Sequence, residues 1–192
     1  MTIKKVLTFV ECDTQQEPKT KFGGQPDWID GAQWPISRAL KGPMRFIAQI
    51  KLSDVFPEVR GKMAYIFMTE DHDEYVDGTW EPDGGENAVI IQPVIECKTL
   101  TAVLENGPSR KEFGVKIVEK DLDDDEISEC RVGGEPEFMQ GEEYPEPKAE
   151  WRFLCQLDSC SLPFEINFGV AGIAYVFINK AISEGKFLWQ CG

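Results

Sequence analysis

The feature that most constrains the fold of this chain is a set of three motifs that occurs twice in the same order. The stretch GGQPDWI at residues 23–29 returns as GGEPEFM at residues 133–139. RFIAQI at residues 45–50 returns as RFLCQL at residues 152–157, and AYIF at residues 64–67 returns as AYVF at residues 174–177. Three collinear matches at nearly constant spacing indicate an internally duplicated chain.

Each copy reads as the same sequence of local structures. The glycine pair permits positive φ and the proline disfavours helix before it, so each copy opens with a turn. Short aromatic and β-branched runs follow, as is typical of strands. Strands are predicted at residues 3–10, 63–68, 88–94, 114–118, 173–178 and 186–191. Helical periodicity is scarce, and residues 30–40 and the neighbourhood of 164–166 are the short helix candidates.

These elements predict a mainly β, internally duplicated fold. Two pseudo-symmetric, strand-rich halves would pack into one β-roll or barrel-like domain with few short helices, because each half has an apolar face to bury. We expect one domain over residues 1–192, with half-units at about 1–105 and 106–192. Residues 104–109 carry a turn signal, and residues 141–147 read as an exposed connection. The acidic residues 120–129 lack periodicity and read as a solvated loop or the start of a helix.

The charge balance restricts the classes of partner. Asp and Glu total 34 against 20 Lys and Arg, which gives a formal net charge of −14. An anionic surface opposes binding to nucleic-acid phosphates and to anionic membranes. We therefore expect neither a nucleic-acid partner nor a membrane partner. A basic protein partner is one interpretation of the acidity, and simple solubility is the other.

The termini and the cysteines predict a cytoplasmic protein. The apolar stretch after Lys4 and Lys5 stops at Glu11, which is too short for the core of a signal peptide. Six cysteines occur without a Cys-x-x-Cys pair, and the chain has one histidine, so a zinc site is not expected. The cysteines read as reduced thiols.

Several aromatic and amide residues are candidates for a binding site. The tryptophans would line a pocket if they converge, and the strand glutamines would read the hydrogen-bonding edge of a ligand. The competing interpretation is that the aromatic residues fill the core and that each buried amide pairs with a nearby Gly-Gly-Pro turn. The candidate residues are Trp28, Trp34, Gln49, Trp80, Gln92, Phe138 and Gln156.

No complete catalytic or metal-binding arrangement is visible. The most metal-like stretch is residues 71–77. A calcium loop counted from Asp73 would place Tyr75 at its third position and Gly84 at its twelfth, where carboxylates are needed, so the stretch mismatches such a loop. His72 is the single histidine, and nothing in the sequence places a nucleophile beside it. The glycine pairs lack the lysine and helix of a phosphate loop. We therefore expect no cofactor, no metal and no enzymatic activity, with a hydrolase as the weaker alternative.

The repeated motifs resemble those of the YwqG-like family, a bacterial domain of unknown function. They are more distantly similar to the eukaryotic programmed cell death protein 2 group, whose members also open with Gly-Gly-x-Pro-x-Trp. The resemblance spans residues 22–28, 43–50, 80–93, 133–140 and 167–178. It implies a mainly β, duplicated fold without an established activity. Relatives often carry an acid where this chain has Val170, so any chemistry of that acid would be lost here.

The resemblance also shapes the functional expectation. The eukaryotic relatives act as dedicated chaperones or adaptors for a ribosomal protein, and many carry zinc-binding insertions that are absent here. We expect a non-enzymatic cytosolic binding module, an adaptor or chaperone-like partner of a basic protein. An immunity protein that blocks a toxin and a small-molecule-binding protein are the alternatives.

Overall fold

The computed structural model describes residues 2–11, 18–71, 76–93, 99–122 and 129–192 of the chain. Within these ranges the strands are β1 (Thr2–Glu11), β2 (Lys21–Phe22), β3 (Trp34–Pro35), β4 (Arg45–Lys51), β5 (Met63–Met68), β6 (Asn87–Gln92), β7 (Thr101–Ala102), β8 (Phe113–Leu122), β9 (Arg131–Val132), β10 (Trp151–Asp158), β11 (Ile173–Asn179) and β12 (Gly185–Gln190). The helices of the same ranges are one α-helix, α1 (Leu52–Val55), and one 3₁₀ turn (Lys148–Glu150). No helix of these ranges combines the length and apolar character that crossing a membrane requires.

Ten of the strands form a closed antiparallel barrel in the order β1-β8-β2-β4-β5-β6-β12-β11-β10-β9. The predicted mainly β, barrel-like fold is confirmed. Strands β3 and β7 form a separate two-stranded sheet. Closure removes the exposed sheet edges that would otherwise pair with other chains.

Strands of the two halves follow one another in a matching order on the two sides of the β1–β8 pair. One direction runs β8-β2-β4-β5-β6 and the other runs β1-β9-β10-β11-β12. Strand β1 therefore pairs with β9 of the later half, and β8 pairs with β2 of the earlier half. This exchange interlocks the two halves in one barrel.

Side chains alternate between the barrel interior and its outside along each long strand. In β5, Ala64, Ile66 and Met68 belong to the interior cluster, while Tyr65 and Phe67 belong to a cluster outside the barrel. Strand β11 repeats this alternation, with Tyr175 and Phe177 outside. Both faces of these strands are buried, which explains their nearly continuous apolar sequences.

Matching β-bulges interrupt β4 and β10. The register of β4 against β5 shifts between Phe46 and Ala48, and that of β10 against β11 shifts between Phe153 and Cys155. A bulge inserts one extra residue and bends its strand, which here helps the sheet to curve into a barrel.

The helix prediction for residues 30–40 is wrong. Trp34 and Pro35 form β3, which pairs with β7, and residues 38–40 form a turn. Pro35 has no backbone N–H and Gly31 has a φ of 77°, and both properties oppose a helix. Residues 164–166 are not helical either. The loop predicted at residues 120–129 does not include residues 120–122, because β8 continues to Leu122. Residues 123–128 of that prediction lie outside the described ranges.

Candidate functional site

The outer face of each half of the barrel is covered by an irregular segment that starts at a glycine pair. We call residues 23–34 the first arm and residues 133–144 the second arm. Gly23 and Gly24 have φ values of 62° and 70°, and Gly133 and Gly134 have 65° and 74°. These left-handed conformations favour glycine and turn each arm out of its short strand.

Buried side chains of β4 and β5 hold the first arm by its backbone. Gln49 Oε1 accepts a hydrogen bond from Asp27 N at 2.8 Å, and Gln49 Nε2 donates to Lys19 O at 2.7 Å. The hydroxyl of Tyr65 donates to Asp27 O at 2.7 Å and accepts from Ile29 N at 3.1 Å. Both side chains are fully buried.

Gln92 of β6 fastens the next turn of the first arm. Its Oε1 accepts from the backbone N–H groups of Ile29 and Asp30, each at 3.2 Å. Its Nε2 donates to Gly31 O at 2.7 Å. Gln49 and Gln92 therefore each bind the arm backbone, as the competing interpretation of these amides predicts. Their Nε2 groups also donate outside it, from Gln49 to Lys19 O and Asp27 Oδ2 and from Gln92 to Gln33 Oε1.

The second arm is held by the corresponding residues of β10, β11 and β12. Gln156 Oε1 accepts from Glu137 N at 3.3 Å, and the hydroxyl of Tyr175 donates to Glu137 O at 2.8 Å and accepts from Met139 N at 3.1 Å. Gln190 Oε1 accepts a hydrogen bond from Gln140 N at 3.0 Å. Desolvation raises the pKa of Tyr175 to about 12, so its hydroxyl stays protonated and donates at neutral pH.

The candidate aromatic residues do not converge on one pocket. Trp28 and Trp34 meet in the outer cluster of the first half, with ring centroids 6.1 Å apart. Phe138 packs on Tyr175 of the second half, at 4.8 Å between centroids. Trp80 packs against the interior cluster, with its ring centroid 6.2 Å from that of Trp189.

A connecting segment clamps the first arm from outside. We call residues 105–110 the connector. Gln25 donates through Nε2 to Gly107 O at 3.1 Å and accepts through Oε1 from Gly107 N at 2.8 Å. Trp28 Nε1 donates to the carbonyl of Glu105 at 3.2 Å, and Gly24 N donates to the carbonyl of Arg110 at 2.9 Å. Gly107 also lies against Trp34, because a Cβ added there would be 2.7 Å from the Trp34 ring.

The second arm has no matching clamp among the described residues. A methyl group added at Gly134 would meet no described atom within 4 Å, whereas one added at Gly24 would overlap the Glu112 carboxylate. Gly134 and Glu135 are exposed, while Gly24 and Gln25 at the matched positions are half-buried. The two arms are thus attached to the barrel alike but covered differently.

The surroundings of the open second arm are acidic. Within residues 135–150 the exposed charged side chains are one lysine, Lys148, and five glutamates, Glu135, Glu142, Glu143, Glu146 and Glu150. Lys148 pairs with Glu142, and its ammonium lies 4.1 Å from the centre of the Tyr144 ring. This face therefore carries uncompensated negative charge beside half-buried aromatic rings.

A cleft that the sequence did not indicate lies where the two halves meet at β6 and β12. The two strands are joined by the single register pair Val89–Gly185, so the barrel wall opens beyond it. The cleft has a volume of about 580 Å³, and Arg38, Lys41 and Lys186 are among its lining residues. None of the seven candidate residues lines it. Its lack of a local motif explains why sequence reasoning missed it.

The metal-like stretch can be described only in part, because His72 and residues 73–75 lie outside the described ranges. Among the residues that are described, no three His, Cys, Asp or Glu side chains are grouped so that they could hold a metal ion. The prediction of no metal at residues 71–77 therefore stays a prediction.

The fold and the arms define a closed ten-strand β-barrel protein with two arms packed on its outer wall. The chain matches the model of the family described as "Domain of unknown function (DUF1963)" over residues 20–77 and 86–187. Because these segments cover most of the chain, the protein belongs to this family. They include both arms and all the glutamines that hold the first arm. No curated protein matches the chain.

Proposed function

We propose that the protein is a non-enzymatic, cytoplasmic binding module that engages a basic protein partner as an adaptor or chaperone. The observation that carries this proposal is the open second arm, where exposed glutamates outnumber lysine five to one beside aromatic rings. Aromatic surface combined with complementary charge is typical of protein interfaces, and the net charge of −14 adds attraction during encounter.

Two further observations support the proposal. The motifs resemble those of the YwqG-like family and, more distantly, the programmed cell death protein 2 group, whose eukaryotic members are dedicated chaperones or adaptors. Cys130 and Cys155 are free and buried, which is typical of proteins from a reducing compartment. Burial raises the pKa of Cys130 to about 12, which disfavours its reactive thiolate.

Affinity capture from the native cells, followed by mass spectrometry, tests the proposal. Capture is done at about 0.1 M and about 1 M salt, where the Debye length is about 10 Å and about 3 Å. We expect a basic protein that is recovered at low salt and depleted at high salt. An unrelated acidic protein of similar charge serves as control bait and removes partners captured by charge alone. Recovery of no basic partner beyond this control would contradict the proposal.

The non-enzymatic part has a separate test. Purified protein is assayed against a panel of hydrolase substrates, and we expect no turnover. Turnover that disappears on substitution of one acid, in a variant that remains folded, would identify an enzyme instead.

The cleft between β6 and β12 favours a second candidate function, binding of a small molecule. Its volume of about 580 Å³ lies within the range of small-ligand sites. Lys186 Nζ pairs with Asp83 Oδ2 at 2.6 Å at this cleft, so the wall offers both charges. Native mass spectrometry of protein purified from its own cells distinguishes the two functions. A retained metabolite that Arg38→Ala removes would favour the small-molecule function.

A further inference from the structure

The connector shows in this molecule what kind of chain segment an arm binds. Its chain bends at residues 105, 106 and 108. It contributes mainly backbone groups, because Gly107 is bonded through both its N–H and its carbonyl. The carbonyl of Pro108 also accepts from Phe46 N of β4 at 2.8 Å. One arm therefore binds a short, bent segment of chain through its backbone groups.

The second arm repeats the surface on which the connector lies. Gly134, Glu135, Phe138 and Tyr144 stand 110 residues after Gly24, Gln25, Trp28 and Trp34. Tyr144 packs on Phe138 and on Phe177, each with 5.3 Å between ring centroids, as Trp34 packs on its own neighbours. Trp34 is fully buried, while Tyr144 is half-buried. The difference in burial marks the area that the connector covers on the first arm.

We propose that the second arm is a docking site for a short, basic segment of a partner protein, bound through its backbone as the connector is bound to the first arm. This inference rests on the proposed function for the existence of a basic partner. It adds the surface, the backbone-mediated mode of binding and the residue that selects the charge of the bound segment.

Glu135 sets the chemical preference of this site. Gln25 at the matched position both donates to and accepts from the connector, but a carboxylate only accepts. The Tyr144 hydroxyl donates to Glu135 Oε2 at 3.0 Å and orients the carboxylate. A partner segment must therefore present a donor here, and lysine or arginine meets the surrounding glutamates with the complementary charge.

The shape of the site selects a small residue beside that cation. Where the connector faces Trp34 it has Gly107, and a Cβ added there would lie 2.7 Å from the Trp34 ring. Phe138 lacks the indole N–H through which Trp28 binds a connector carbonyl, so the second arm makes no such demand on its partner. The expected segment is short, with a glycine or another small residue facing Tyr144 and a lysine or arginine next to it.

A synthetic peptide with the sequence of residues 103–112, in which Glu105→Lys and Asn106→Arg are introduced, is a suitable probe. It is titrated into the ¹⁵N-labelled full chain, and amide shifts are recorded by NMR. We expect saturable shifts at Gly134, Glu135 and Phe138, without shifts at Gly24. Loss of a hydrogen bond to a charged group predicts that Glu135→Lys weakens binding about tenfold to hundredfold.

Glu165→Lys is the matched control, because it makes the same charge change at another exposed glutamate. We expect it to weaken peptide binding less than about threefold. Equal weakening by both variants would show unspecific attraction and overturn the inference. The absence of shifts on the second arm, shifts at Gly24 caused by displacement of the connector, or a dimer of this chain that buries the second arm would overturn it as well.

A captured partner separates this inference from the proposed function. If wild-type protein and Glu135→Lys capture the same basic partner equally well, the docking site is wrong while the proposed function stands. If no basic partner is captured at all, the proposed function fails. Specific peptide shifts on the second arm that Glu135→Lys removes would still support a docking site for short basic segments.

Discussion

Two buried tyrosines offer a direct test of how the arms are attached to the barrel. Tyr65→Phe and Tyr175→Phe remove one hydroxyl each and keep the packed ring. Both rings are fully buried, and each hydroxyl makes two hydrogen bonds to an arm backbone at 2.7–3.1 Å. The change therefore isolates the hydrogen bonds from the hydrophobic packing.

The expected cost follows from the number of hydrogen bonds lost. A buried hydrogen bond contributes about 1 kcal/mol net, so each substitution should lower the free energy of unfolding by about 2 kcal/mol. In the first arm Ile29 N keeps Gln92 Oε1 at 3.2 Å as an acceptor, which moderates the loss. In the second arm water can reach the freed N–H of Met139, because no connector-like segment of the described residues covers this arm. We therefore expect similar values for the two variants.

Urea unfolding followed by tryptophan fluorescence measures the change, and thermal unfolding checks it. For a chain of this length about 2 kcal/mol corresponds to a fall in Tm of about 4–8 °C. Tyr144→Phe is the control, since its hydroxyl bonds only an exposed carboxylate, and it should cost less than about 0.5 kcal/mol. A loss below about 0.5 kcal/mol in both buried variants would refute the conclusion that these hydroxyls hold the arms.

Two further predictions use the same matched positions. Burial raises the pKa of Tyr175 from about 10 to about 12 in the folded state, so the stability linked to it is complete below pH 10 and is lost as pH rises towards 12. Alkaline unfolding curves should therefore be shallower for Tyr175→Phe than for wild type, and identical slopes would contradict the assignment. Gly134→Ala should cost about 1–2 kcal/mol from its positive φ alone, while Gly24→Ala should cost more because its methyl group also overlaps the Glu112 carboxylate. Urea unfolding of the two variants decides this order, and an equal cost would show that the Glu112 side chain does not press on Gly24.

The sequence predicts the parts of this fold that depend on local pattern. The run at residues 63–68 forms β5 with the predicted bounds, and the strand predicted at residues 3–10 is one residue shorter than β1 at each end. Both runs contain the β-branched and aromatic residues that suit a pleated, buried surface. The repeat also predicts which glutamines face which arm, because Gln49 and Gln156 stand at matched positions of matched strands.

Features that depend on distant pairing escape the sequence. Nothing local to β1 shows that it pairs with β8 and β9 rather than with β2, because such an exchange is decided by the closure of the whole barrel. The cleft at Val89–Gly185 is equally invisible, since it arises where two strands separate. The helix prediction at residues 30–40 fails because packing of Trp34 against the outer wall overrides a weak periodic pattern.

The comparison of the two arms separates what the barrel needs from what a partner would use. Residues that attach an arm are the same in both halves, since Tyr65 and Tyr175 make the same two backbone hydrogen bonds. The residue that meets the connector differs, because Gln25 is replaced by Glu135 at the matched position.

If the second arm served stability alone, no contact would require an acid there, and Glu135→Gln should leave both stability and peptide binding unchanged. If it selects a basic segment, Glu135→Gln should leave stability unchanged and weaken the peptide, because the neutral amide loses the charge-assisted hydrogen bond. Measuring unfolding and peptide titration on this one variant therefore distinguishes an inert surface from a binding surface.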